Sequence, residues 1–340
     1  MKRSRYRWEA PRNFDDVVQR IKAASTNKER LDEISDTLIR HQPLLNYHFG
    51  RGSVYWRGRP VDSEAGFKNA REVGPPPSTA TEAGRLNDPA EPILYASTRT
   101  HTVFNELQLK GGDYVHLIGV RIRPKVAFHI MAVGELFHVF KTGRSRILGD
   151  KIAAELNRML NDTDPDLGRR LVYVDALLDS YLADPNARDY DYLHSRAIAR
   201  AIFRKVDLIE AFFYPSICQE SGMNLAVRCE TYKRKMHIAS SQVVKIIRYR
   251  ENLGLFDYEI CRHATRVNED GNFQWLEGER DVSDRVVLFE LTDEEEKFCE
   301  AKNNELTGND YLDIVKLYSQ SASAPEKTKQ QNQEKHNYRN

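Results

Sequence analysis

The 340-residue sequence has no excess of either charge: 51 Lys and Arg face 50 Asp and Glu, for a formal net charge of +1. Proteins that coat nucleic acid draw most of their sequence-independent affinity from neutralised phosphates and carry a basic excess to do so, so a bulk nucleic-acid partner is disfavoured. Long hydrophobic runs are missing too. No stretch approaches the ~18 apolar residues that a membrane span requires, and the opening MKRSRYRWEAPRN has no apolar segment behind its basic residues, unlike a secretory leader. The expectation is a cytoplasmic protein. Cysteine is scarce. Cys218, Cys229, Cys261 and Cys299 lack CxxC spacing and a nearby HxxxH, which argues against a zinc site or a disulfide framework, and no metal is expected. Also absent are GxxxxGK with Ser or Thr, GxGxxG opening a helix, GxSxG and HExxH, so P-loop, Rossmann, hydrolase-elbow and zincin readings lose their usual support.

Hydrophobic residues make up 40% of the chain, enough for a sizeable core, and the length fits roughly one to three domains. Apolar positions between Phe14 and Ile39 suit two short amphipathic helices. Leu44 to Arg59 alternates with aromatics, and the proline of YWRGRP is expected to close a strand. Glu72 to Asn87, with Pro75, Pro76 and Pro77, reads as a long loop. A short strand at Pro92–Ala96, a helix from Thr100 to Leu109 stopped by Gly111 and Gly112, and a strand from Tyr114 to Ile122 follow. Val133 to Arg204 is mostly helical, over Ile152–Leu160, Leu171–Leu182 and Tyr192–Ile202. Strand patterns return at Leu208–Tyr214, Leu225–Arg228 and Val243–Tyr249, and Asn268 to Gly271 marks a hairpin turn within the strands of Leu255–Phe289. A charged helix is expected at Asp293–Asn303 and a disordered tail at Ser319–Asn340. Helices and strands interleave without a regular βαβ repeat, which makes the fold class α+β.

Four short segments carry the chemistry: Tyr55-Trp-Arg57-Gly-Arg59, Gly84-Arg85-Leu-Asn87, Leu94-Tyr95-Ala-Ser97 running into Glu106-Leu107, and Tyr214-Pro-Ser216 with Asn224-Leu225 downstream. Their order and spacing resemble the RES-domain family, named for its Arg, Glu and Ser. The resemblance implies a mixed split β-sheet core like that of diphtheria-toxin-like ADP-ribosyltransferases, here with a helical insertion and N-terminal helices, and activity on NAD⁺. The expected function is cleavage of the nicotinamide–ribose bond with water or phosphate as acceptor, in the toxin of a pair whose antitoxin covers the active site. The family's functional residues would fall on Arg57, Arg85, Tyr95, Glu106 and Ser216. Residues 1–46 then form an N-terminal helical extension, 47–250 the NAD-binding catalytic domain with its insertion at about 133–204, 251–318 a hairpin-and-helix extension and 319–340 the tail. Leu86 stands where the family has an aromatic, and Asp88-Pro89-Ala90 lacks the glycine that commonly follows.

The residue types suit that chemistry independently. Breaking the nicotinamide–ribose bond builds positive charge on the sugar, which a carboxylate such as Glu106 stabilises. Pyrophosphate favours forked guanidinium donors, here Arg57 and Arg85, with Arg59 as the competitor of Arg57. Nicotinamide can stack on Tyr95, and the Ser216 hydroxyl can hold an amide or ribose oxygen. Plainer readings stand beside these. Glu106 fits a solvent-facing helix position, Tyr95 a core strand and Ser216 a turn, while Asn87 reads first as a residue that binds loop backbone. Two other functions also remain: transfer of ADP-ribose to a protein, and a non-catalytic interaction protein on the same scaffold. A basic arm at Lys2, Arg3, Arg5 and Arg7 with Tyr6 and Trp8 is expected to be a solvated terminus.

Overall fold

The computed structural model describes residues 14–24, 27–41, 46–50, 53–276, 288–291, 293 and 295–298. Two helices, α1 (Phe14–Ala23) and α2 (Lys28–His41), come first, and Asn27 opens the second by accepting the Arg30 N–H at 2.9 Å. They bury the apolar stripe Ile21, Leu31 and Ile39. Then come β1 (Asn46–Gly50), β2 (Tyr55–Val61), the one-turn helix α3 (Ala70–Val73), β3 (Ile93–Ser97), α4 (Thr100–Glu106), β4 (Tyr114–Ile122) and β5 (Ala127–Ala132). The helical stretch holds α5 (Glu135–Thr142), α6 (Gly149–Asp162), α7 (Pro165–Leu182) and α8 (Leu193–Lys205). It returns to β6 (Ile209–Pro215), β7 (Met223–Arg228), α9 (Cys229–Lys235), β8 (Met236–Arg250), β9 (Leu255–Val267) and β10 (Phe273–Trp275).

The strands form one mixed sheet in the order β1-β5-β6-β7-β3-β2-β4-β8-β9-β10, antiparallel except for β5 beside β6. The fold class is α+β, as expected. β4 shows how both faces are used. Val115 and Leu117 pack with Phe104 of α4, whereas Ile118, Val120 and Ile122 pack into a second cluster with Leu94 and Phe128, the period of two that a strand imposes. A third cluster joins α1, α2, α7 and α8 to Phe212 and Tyr214. β9 and β10 continue the same sheet beyond residue 250, and the hairpin turn falls at Asn268–Gly271, with Gly271 at φ +85°.

The sheet is nearly divided in its middle. β2 pairs with β4 along its whole length from Tyr55 to Val61, but touches β3 through the single pair Trp56 and Ser97. This seam explains why Pro60 lies inside β2 instead of ending it. Beyond Trp56 the strand has a ladder partner on one side only, so a missing N–H is tolerated there. Three further differences from the sequence expectation have local causes. Leu44–Arg59 supplies two strands that lie far apart in the sheet, β5 was hidden behind Pro124, and the Glu72–Asn87 loop begins in the last residues of α3. The charged helix is described only at 293 and 295–298, while the 319–340 tail and the arm at 2–8 lie outside the described residues.

Candidate functional site

Register builds the site. Tyr214 lies opposite Asn224, Asn224 opposite Ser97, and Ser97 opposite Trp56. Directly opposed residues share a face, so these four side chains form a row crossing the seam. α4 lies over that row, and its close approach needs Gly58: a Cβ there would stand 2.7 Å from Val103 and 2.9 Å from Leu107. The last residue of α4 is Glu106, which the helix delivers to the row.

The Glu106 carboxylate takes its hydrogen bonds from neutral donors. Ser216 Oγ and Asn224 Nδ2 each donate to Oε1 at 2.7 Å, and the Cys218 thiol lies 3.7 Å from Oε2. Ser97 Oγ donates to Asn224 Oδ1 at 2.6 Å, which fixes the amide with its NH₂ toward Glu106. Ser216 is similarly committed. Its oxygen accepts the N–H groups of Cys218 and Gln219, both at 3.2 Å, so its one proton goes to the carboxylate. Burial, and then the negative charge of Glu106, push the Cys218 thiol up to about 11, so it remains a thiol and a weak donor.

Arg57 fills the seam. Its Nη1 donates to the Tyr95 carbonyl at 3.1 Å and its Nε to the Val73 carbonyl at 2.8 Å. The Tyr95 carbonyl belongs to the stretch of β3 that β2 does not pair, so the guanidinium replaces a ladder partner there. Burial, and then the charge of Arg59, bring Arg57 down to about 10, which leaves it cationic at neutral pH. Nη2 has no partner among the described residues. Arg59 turns elsewhere, donating to the Glu72 carbonyl with its guanidinium 5.6 Å from the Phe67 ring centre.

Arg85 stands on a tightly specified loop. The Tyr95 hydroxyl donates to Asn87 Oδ1 at 2.8 Å and accepts the Leu86 N–H at 3.0 Å, while Asn87 Nδ2 donates to the Glu82 carbonyl at 2.8 Å and that of Asp88 at 2.9 Å. Gly84 is needed because a Cβ would lie 2.5 Å from Asn87 Oδ1. Leu86, 2% exposed, fills the core beneath. Arg85 Nη1 donates to the carbonyls of Leu182 at 2.7 Å and Asp184 at 3.3 Å, at the end of α7 where the helix dipole favours a cation. Its guanidinium lies 5.8 Å from the Tyr192 ring centre.

A cavity of about 240 Å³ opens at this point, lined by Arg57, Arg85, Tyr95 and Glu106. Ser216 backs it through its bond to Glu106. Thus residues spread from 57 to 216 converge on one feature. Tyr192, Tyr214, Trp56 and Asn224 line it too, and the sequence assigned none of them a role. Three of these sit inside the quoted segments. Tyr192 has no motif and comes from the helical insertion, where it and Asp191 both take φ +55°. Two larger hollows, of about 910 and 710 Å³, contain none of the five sequence-selected residues. Among the described residues no cluster of His, Cys, Asp and Glu is arranged to hold a metal, and no helix is long and apolar enough to cross a membrane.

Neither protein-family models nor curated proteins give a match to this chain. The functional reading therefore rests on the chemistry of the seam.

Proposed function

We propose that the chain is a RES-type enzyme that cleaves the nicotinamide–ribose bond of NAD⁺ in an ADP-ribosyltransferase-like cleft formed by the seam. The observation that carries this reading is Glu106: a carboxylate that, among the described residues, takes its hydrogen bonds from neutral donors alone and lines one cavity with two arginines. As nicotinamide departs with the bonding electron pair, the ribose becomes cationic, and an uncompensated carboxylate stabilises that charge where it develops. Arg57 Nη2 and the remaining donors of Arg85 suit the pyrophosphate oxygens. Whole-ligand pockets run to roughly 300–1,000 Å³, so a cavity of about 240 Å³ takes the nicotinamide–ribose end of the dinucleotide. Attack by water yields ADP-ribose, nicotinamide and a proton; attack by phosphate yields the 1-phosphate of ADP-ribose. An antitoxin would act by covering the mouth of this cavity.

The test is nicotinamide release from NAD⁺ by the purified full chain, with Glu106→Gln as the comparison. The wild type is expected to consume NAD⁺, and the variant to lose about 10²–10³-fold in kcat with its unfolding midpoint unchanged. Free ADP-ribose, its 1-phosphate or a labelled protein band then names the acceptor. NAD⁺ left intact by a folded wild type in the presence of each acceptor overturns the proposal.

A further inference from the structure

Tyr214, in the cross-seam row, keeps its hydroxyl unspent. Its ring is 4% exposed and packs in the core beside Leu86, Phe212 and Ala226. In the same row, Ser97 and Asn224 are hydrogen-bonded to each other and onward to Glu106. The Tyr214 hydroxyl has no hydrogen-bond partner among the described residues, yet it is not sealed among the fully enclosed polar atoms, and the residue lines the cavity. A phenol O–H that opens on a cavity without a protein acceptor is free to donate to an oxygen bound there.

We propose that Tyr214 is a substrate-contact residue whose hydroxyl donates to an oxygen of the nicotinamide–ribose end of NAD⁺. The inference rests on the reading of the seam as an NAD⁺ site and adds to it a donor from the floor. Tyr95, Glu106, Arg85 and Tyr192 line the same cavity as this phenol. Burial raises its pKa well above the ordinary phenol value. It therefore stays protonated and serves as a donor, never as a base. Two oxygens offer the same acceptor chemistry: the ribose 2-hydroxyl and the carboxamide carbonyl.

The experiment compares wild type with Tyr214→Phe on NAD⁺, on its 2-deoxyribosyl analogue and on its thionicotinamide analogue. The expected result is a kcat/KM loss of about 10-fold on NAD⁺, the scale of one neutral hydrogen bond. The unfolding midpoint stays equal or rises, since no protein contact is lost. The penalty disappears with the analogue that lacks the accepting oxygen, which a packing role would not produce. An active wild type with an indifferent Tyr214→Phe overturns the inference alone, as does a penalty equal across all three substrates. A wild type that neither binds nor cleaves NAD⁺ overturns the reading of the seam and this inference with it.

Discussion

Glu106, which lines a cavity with Arg85, and Asp88, which follows Arg85 on its loop, are part-buried carboxylates treated in opposite ways. Asp88 is enclosed by cations. Arg196 donates from Nε at 2.7 Å and also from Nη2, and Arg200 Nη1 reaches both oxygens at 2.7 and 2.6 Å. Arg200 continues to Asp32 of α2, and Arg204 pairs with Asp36. Burial pushes the Asp88 carboxyl up, but the bonds from Arg196 and Arg200 outweigh it and leave it below the usual range. Glu106 receives a serine, an asparagine and a thiol. The first arrangement consumes the charge to fasten the N-terminal helices and α8 to the Arg85 loop. The second fixes the carboxylate's position and leaves its charge available to a ligand.

The sharpest way to break this contrast is Asp88→Ala. Arg196, 5% exposed, then keeps only the exposed Asp191 as a partner among the described residues, and removing one member of a buried pair costs up to about 3–5 kcal/mol. Urea unfolding is expected to show that loss. Any fall in NAD⁺ cleavage should accompany the loss of folded protein, in contrast to Glu106→Gln, which loses turnover at unchanged stability. Equal stability of Asp88→Ala and wild type would mean that the network fastens nothing. Next in size is Asn224→Ala, which removes one donor to the carboxylate and leaves Ser97 Oγ without its acceptor. Hydrogen bonds to charged groups are worth about 1.5–3 kcal/mol, so kcat is expected to fall by about one to two decades with a smaller change in KM. A selective rise in KM would instead make Asn224 a ground-state contact.

Gly58→Ala probes the approach of α4 to β2. Its Cβ meets Val103, Leu107 and Val115 at 2.7–3.0 Å, and overpacking of this kind costs about 1–3 kcal/mol. Because Glu106 ends that helix, part of the cost is expected as lost turnover. A variant destabilised but fully active per folded molecule would show that the helix shifts without moving its last residue.

What was legible in the sequence follows the range of each interaction. β4 was readable to its end residues because alternating β-branched side chains write a strand locally. Of the helices of the insertion, α6, α7 and α8 were readable from their spacing, and the short α5 was not. Arg57, Arg85, Tyr95, Glu106 and Ser216 were reached through short segments in a fixed order, and they meet in space. The connections among them were not readable. Ser97 and Asn224 are 127 positions apart, and Asp88 and Arg196 are 108 apart, so their contacts depend on strand register and helix docking that no local pattern encodes. Tyr192 was missed for the same reason, since only the path of the insertion brings it back to the cavity.

The sheet and the helical layer are also expected to respond to acid with opposite sign, the smallest of these effects. In the sheet, His116 Nδ1 accepts the Phe67 N–H at 3.0 Å, so Nε2–H donates to Ser241 Oγ at 2.8 Å. Burial lowers this imidazole to about 4. The unfolded chain takes up the proton near 6.5 and the folded chain does not, so stability present above pH 6.5 is lost as pH falls toward 4. In the helical layer, Asp175 accepts the Phe137 N–H at 2.9 Å and the Gly134 N–H at 3.0 Å, and burial still raises it to about 6. Here the folded chain binds the proton first, so stability increases as pH falls from about 6 toward 3.8. Unfolding midpoints of wild type, His116→Gln and Asp175→Asn between pH 7 and 4.5 separate the two. His116→Gln is expected to close its gap to wild type on acidification and Asp175→Asn to widen it, whereas curves that stay parallel would remove both groups as sources of the pH dependence.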